Sequence, residues 1–210
     1  MKIRAFIKKL NNTELGKSST HDTYVLVPAG IKLEGIFKEV GLAENFVDVA
    51  TKKEYSIRLR YTANNELRIN GLGQYYRDKE LNAGDEIIIQ YIEKNDERIK
   101  TIDVNKYENT IVLQKASTNS FEVLNPERIP LVNDDIYVDG KKCNLVFYET
   151  RKKRSDSPNA TDYYYLMLED KNLGDNYSTD EVVEIKLNGR SSKIIKPCGW
   201  KLYSFSEEER

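Results

Sequence analysis

Hydrophobic and polar residues alternate along much of this chain with a period of two. Ile3, Ala5 and Ile7 are separated by charged or bulky neighbours, and an apolar run follows Tyr24. Tyr55, Ile57, Leu59 and Tyr61 fall on one side of a segment whose other side is Ser56, Arg58 and Arg60. Leu67 and Ile69 alternate with Arg68 and Asn70, while residues 87–92 are largely apolar on both sides. A polar turn at 94–97 then leads to Ile99, Ile102 and Val104. Successive side chains of a strand point to opposite faces, so this period predicts half-buried strands of a curled sheet or barrel. Two places break the pattern. Leu33, Ile36, Phe37 and Val40 are three to four apart and predict a short helix over residues 32–40. Residues 71–81 hold Gly71, Gly73, a Tyr pair and then charge, which predicts a loop with one helical turn. Many short strands with two brief helices give a mainly β class, barrel-like over residues 1–105.

A β-rich companion segment is expected over residues 106–210, packed on the first. Its predicted strands are 110–115, 120–124, 135–138, 143–150, 162–169, 182–187, 193–195 and 201–205. Trp200 is expected to pack where the last of these closes the companion segment. Residues 151–160, basic and then rich in Ser, Asp, Pro and Asn, read as an exposed loop.

Composition narrows the function classes. The 210 residues are 39% hydrophobic and 32% charged, with Lys and Arg (33) interspersed among Asp and Glu (34), so a packed core rather than disorder is expected. A net charge of −1 excludes a bulk polycation, and any nucleic acid must meet a local patch. One His and two Cys exclude zinc-finger, four-Cys and His-pair protease sites, and Cys143 and Cys198 are expected to stay reduced. No apolar stretch approaches membrane-spanning length, and residues 1–10 carry charges through what would be a signal-peptide core. A cytoplasmic protein without a membrane partner is the expectation.

Two polar segments carry chemistry. Residues 14–24 gather Lys17, Ser18, Ser19, Thr20, His21 and Asp22 just before a strand. Residues 58–70 gather Arg58, Arg60, Thr62, Asn64, Asn65, Glu66 and Arg68. Arg takes guanine bidentately, Asn takes adenine, and hydroxyls and Lys hold phosphates, so this set suits the edges of base pairs. The same composition also describes solvated turns, and Arg58 and Arg60 on an outer strand face also describe a solubilised surface. Neither segment has the Gly spacing of a phosphate-cradling loop.

At these residues the chain resembles a known family. T-E-L-G-K-S-S-T-H-D-T-Y-V-L-V-P at 13–28, N-N-E-L-R-I-N-G-L-G at 64–73 and L-N-A-G-D-E-I at 81–87 are similar to the amino-terminal specificity domain of EcoRII-type restriction endonucleases. The resemblance covers about residues 1–105. It implies a DNA-binding pseudobarrel, shared with plant B-three transcription-factor domains, whose two arms grip the major groove of double-stranded DNA. Lys17, Ser18, Ser19, Thr20, His21 and Asp22 would form one arm. Arg60, Thr62, Asn64, Asn65 and Arg68 would form the other, with Arg58 holding the backbone. Glu66 would accept from a cytosine amino group or brace a neighbouring Arg. No cofactor is implied for binding. The implied partners are DNA and a nuclease or nucleotide-hydrolysing motor, as a domain or subunit of the same restriction system.

A catalytic alternative rests on Glu184-Ile185-Lys186, which fits the Glu-x-Lys of Mg²⁺-dependent PD-(D/E)XK nucleases with Asp162, Asp170 or Asp175 as partner. Any strand with a charged outer face produces the same tripeptide, so no catalytic residue is assigned in this chain.

Overall fold

The computed structural model describes residues 1–18, 21–128, 135–153, 155 and 159–207. Strands β1 (Lys2–Lys9), β2 (Tyr24–Leu26), β3 (Ala43–Asp48), β4 (Glu54–Tyr61) and β5 (Leu67–Asn70) precede a helix, α1 (Gly73–Asp78). The hairpin β6 (Glu86–Lys94) and β7 (Glu97–Asn105) follows it. Next come β8 (Thr110–Lys115), β9 (Phe121–Val123), β10 (Ile136–Val138), β11 (Lys141–Arg151) and β12 (Thr161–Leu168). The series ends with β13 (Lys171–Asn172), β14 (Val182–Lys186), β15 (Lys193–Ile195) and β16 (Trp200–Ser206). The chain divides into unit 1, Met1–Lys106 with Cys198–Arg210, and unit 2, Tyr107–Pro197.

Unit 1 is one curled sheet in the order β16-β1-β6-β7-β3-β4-β5-β2. Its pairings are antiparallel except β3 with β7, where Val47 aligns with Thr101 and Asp48 with Ile102. Since β16 and β2 end the order without pairing to each other, the sheet is an open barrel. Phe6, Phe46, Ile57, Ile69, Ile87, Ile89 and Ile102 are fully buried, as are Leu72 and Tyr75 at and beside α1. The alternation along β4 is the one expected: Tyr55, Ile57 and Leu59 are buried and Ser56, Arg58 and Arg60 exposed. Tyr61 departs from it and is exposed, because the strand there runs out beyond the core.

Two expectations are corrected. Residues 32–40 form no helix. Leu33, Ile36 and Phe37 are buried as the spacing implied, but by a turn in which Ile36 and Phe37 both donate to the Leu33 carbonyl. Gly35 sits at φ +85, where a right-handed helix cannot continue, and Arg4 crosses the space that a Cβ there would fill. The last strand is also misplaced by the sequence reading. β16 pairs with β1, from Lys2 opposite Ser206 to Lys8 opposite Trp200, so it belongs to unit 1, and Trp200 is exposed rather than packed in a second core.

A buried carboxylate fixes the β3–β4 turn. The Asp48 side chain is wholly inaccessible; it accepts from the Thr51 amide (2.7 Å) and hydroxyl (2.6 Å), Lys79 Nζ (2.8 Å) and the Tyr75 hydroxyl (3.1 Å). Burial alone would raise its pKa, but the bonds from Lys79, Thr51 and Tyr75 outweigh this and hold it at about 2.

Unit 2 is a second curled sheet in the order β10-β11-β12-β9-β8-β14-β15, with β13 added to β12. Its core includes Ile111, Leu113, Phe121, Leu166, Val183 and Ile185. Cys143 lies in that core with its thiol pushed up to about 11 by burial, and Cys198 is a free, exposed thiol. Among the described residues no helix is long and apolar enough to cross a membrane.

Candidate nucleic-acid interface

β4 and β5 form a hairpin whose tip the sequence closes by itself. The Asn65 amide donates to the Thr62 carbonyl (3.0 Å), the Thr62 amide to the Glu66 carbonyl (2.9 Å), and the Glu66 amide to Thr62 Oγ1 (3.2 Å). Asn65 takes φ +60, a conformation that Asn tolerates better than most residues. Ala63, Asn64 and Asn65 are left exposed at the tip.

The register then sorts the flanking side chains. Arg60 lies opposite Arg68, and Arg68 opposite Leu26; Arg58 lies opposite Asn70, and Asn70 opposite Tyr24. Directly opposed residues share a face, so Arg58, Arg60 and Arg68 stand together while Ile57, Leu59, Ile69 and Val25 fill the core. Two guanidinium groups directly across a pair of strands repel. Arg68 is compensated: Glu66 Oε2 accepts from its Nη2 at 2.7 Å and its Nε at 3.2 Å, and its guanidinium stacks 3.9 Å from the Tyr24 ring centre. Of the two roles foreseen for Glu66, bracing an Arg is the one its geometry performs. Arg60 is left exposed on the same face, and burial raises the Tyr24 phenol above its ordinary pKa, so the platform stays neutral.

The other segment is anchored from beneath by Glu14, which the sequence reading passed over. This carboxylate is nearly inaccessible and binds Lys8 Nζ (3.1 Å), the Asn11 amide (3.2 Å) and the Leu26 amide (2.9 Å). The Tyr24 amide donates to the Glu14 carbonyl at 3.0 Å, which closes the loop at its root. Gly16 at φ +70 lets the chain fold back, where a Cβ would meet the His21 carbonyl oxygen at 2.9 Å. Ser18, His21 and Asp22 are exposed on this loop, and Lys17 Nζ is held by Asn82 Oδ1. Ser19 and Thr20 lie outside the described residues.

The structure therefore joins the two segments at one point, Tyr24 under Arg68. It brings Arg58, Arg60, Glu66 and Arg68 to one face and leaves Asn64 and Asn65 at the tip. Tyr24, Glu14 and Asn82 were missed as site residues, although all three stand inside the quoted motifs. An isolated Tyr or Glu gives no sign that it supports a neighbour.

The residues of the catalytic alternative are not assembled. Asp162 accepts from the Thr150 hydroxyl, and Asp175 is bound by Asn119. Glu184 is buried beside Val112, whereas Lys186 and Asp170 are exposed. Among the described residues no three His, Cys, Asp or Glu side chains are grouped to hold a metal ion.

No protein-family model matches the chain, and neither does any curated protein. Among solved structures the chain is similar to the Arabidopsis FUS3–DNA complex, with 17% identity and a TM-score of 0.36 over 48% of this chain and 94% of that one. It is also similar to the N-terminal domain of Helicobacter pylori LlaJI.R1, with 16% identity and a TM-score of 0.35 over 50% of this chain and 82% of that one.

Proposed function

We propose that this chain binds double-stranded DNA sequence-specifically, as the target-recognition or effector-binding part of a restriction endonuclease system. The observation that carries the reading is the cross-strand pair of Arg60 and Arg68 on an outward face, next to a second polar loop that ends on the Tyr24 platform. Three arginines sharing a face with one bracing carboxylate make a local positive surface on a chain of net charge −1. The resemblance of residues 13–28, 64–73 and 81–87 to EcoRII-type specificity domains supplies the geometry of binding. The loop with Lys17, Ser18, Ser19, Thr20, His21 and Asp22 forms one arm in the major groove. The β4–β5 hairpin with Arg58, Arg60, Thr62, Asn64, Asn65 and Arg68 forms the other. Cleavage resides in a separate nuclease, or follows a motor, carried by another domain or subunit. Binding itself calls for no metal, because donors to bases and phosphates come from side chains.

Selection from a random duplex library at physiological salt tests this reading. Wild type is expected to enrich a short motif, and the triple alanine variant of His21, Asn64 and Arg68 to lose it. Absence of enrichment with wild type would overturn the reading. Glu66→Gln tests the brace. It is expected to tighten binding to scrambled duplex by up to about fivefold, the equivalent of ~1 kcal/mol for an exposed charge pair. The preference for the selected motif should shrink at the same time, because Arg68 loses the oxygen that orients it. Titration of both duplexes measures the two effects separately.

A further inference from the structure

Sheet edges in this molecule are protected, with one exception. β2, β10 and β15 end their sheets as strands of three residues each. β11 is longer and meets β10 only over Lys141 to Cys143, but its open part carries a bulge between Phe147 and Glu149 and an ion pair between Glu149 and Arg151 (3.3 Å). Short strands, bulges and charges are the usual devices that stop one edge from pairing with another. β16 has none of them. It runs seven residues in unbroken register with β1, lacks proline, and has Lys201 as its one charged residue.

The hydrogen-bond phase shows which backbone groups face outward. Met1 and Glu207 exchange both bonds (3.1 and 2.8 Å), and the Lys9 amide donates to the Gly199 carbonyl (2.8 Å). Bonded pairs alternate in an antiparallel ladder, so Phe205, Tyr203 and Lys201 bond to β1. Trp200, Leu202, Ser204 and Ser206 therefore direct their N–H and C=O groups away from it. Among the described residues, nothing else bonds the outward backbone groups of Leu202 or Ser204. Beside this open ladder stand exposed apolar side chains: Leu202 is 42%, Phe205 51% and Tyr203 52% accessible.

We propose that β16 pairs antiparallel with β16 of a second copy of this chain, making a two-fold dimer with one continuous sheet. The strand is complementary to itself in one register. With the axis at Tyr203, Leu202 meets Ser204 of the second copy and Trp200 meets its Ser206. All of these residues carry outward backbone groups, so the ladder is complete on both sides of the axis. Lys201 then lies across from Phe205 of the second copy, twice, an ammonium against an aromatic face with no like charge opposed. The two Tyr203 side chains meet on the axis in a non-hydrogen-bonded pair, where opposed side chains approach most closely.

Sedimentation of the full chain from low micromolar to the highest reachable concentration tests the proposal, with Cys198→Ser as the background. Wild type is expected to double in mass as concentration rises. Ser204→Pro removes an outward N–H and no bond to β1, so it should stay monomeric with unchanged circular dichroism. Tyr203→Cys should form an intermolecular disulfide on mild oxidation, since a non-hydrogen-bonded pair has the Cα spacing that a disulfide needs, whereas Leu202→Cys should not. A monomer at every concentration, or a dimer that survives Ser204→Pro, would overturn the proposal. If Ser204→Pro fails to fold, the cysteine pair decides, and equal cross-linking by both cysteines refutes the register.

Discussion

Replacing Arg60 and Arg68 together by alanine is expected to weaken binding to the selected duplex by about 2–6 kcal/mol, since one good bidentate contact to a base contributes ~1–3 kcal/mol of discrimination. Binding would fall by more than an order of magnitude, while the fold should survive. Both side chains lie on the outward face of the β4–β5 hairpin, and the core behind them is made by Leu59 and Ile69. The single variants should not simply add, because the residues face each other across two strands and Arg68 alone has Glu66 and Tyr24. Arg68, held in place, is the better candidate for a base, and Arg60, free to move, for a phosphate. Titration against the selected duplex and a scrambled one distinguishes these roles. Loss confined to the selected duplex marks a base contact, and equal loss on both marks a phosphate contact, accompanied by a salt dependence shallower by about one charge.

Asp48→Ala is expected to destabilise unit 1 by about 3–5 kcal/mol, as breaking a buried ion pair by removing one partner typically does. The substitution strands three donors at once: the Lys79 ammonium, the Thr51 amide and hydroxyl, and the Tyr75 hydroxyl. That is a large share of the ~5–15 kcal/mol by which a folded domain is stable. Trp200 is the chain's single tryptophan and belongs to unit 1, so its fluorescence in a urea titration follows this unit. A pH series gives an independent measure. With a pKa near 2 in the folded protein against 3.8 as the reference, Asp48 contributes stability that is fully present above about pH 4. That contribution, about 2 kcal/mol, is lost as pH falls toward 2. The variant should therefore show a flatter acid limb than wild type, and an unchanged one would mean that the buried carboxylate carries little of the acid sensitivity.

Strand positions were legible wherever one face met the core and the other met water. β4 is the clearest case, since a one-residue slip would have exposed Ile57 and Leu59. β8 and β15 also fall at 110–115 and 193–195 as read from the sequence. Residues 32–40 misled because three buried side chains at helical spacing are produced equally well by a tight turn, and the decisive residue was Gly35 with its left-handed backbone. The partner of β16 was not legible at all. Nothing within residues 201–205 names β1, almost the whole chain away, as the strand it pairs with. In the candidate site the exposed donors could be named from their chemistry, whereas the supports could not. Glu14 acts through amides at Asn11 and Leu26, and such bonds leave no mark on the pattern of side chains. Glu184 was read as a charge on an outer face and is instead buried, since burial on both faces of β14 is set by neighbouring strands rather than by its own sequence.

The pairing of the first strand with the last sets the order of events during translation. β1 leaves the ribosome early, but β16 is made only after all of unit 2. Until then, the flank of β1 that will receive β16 is bare, beside Ile3 and Ile7. Unit 2 holds a contiguous stretch of chain and can fold while β1 waits. A nascent chain halted near residue 106 would thus present the sticky side of an unfinished barrel, and its capture by chaperones would end only when the final strand arrives.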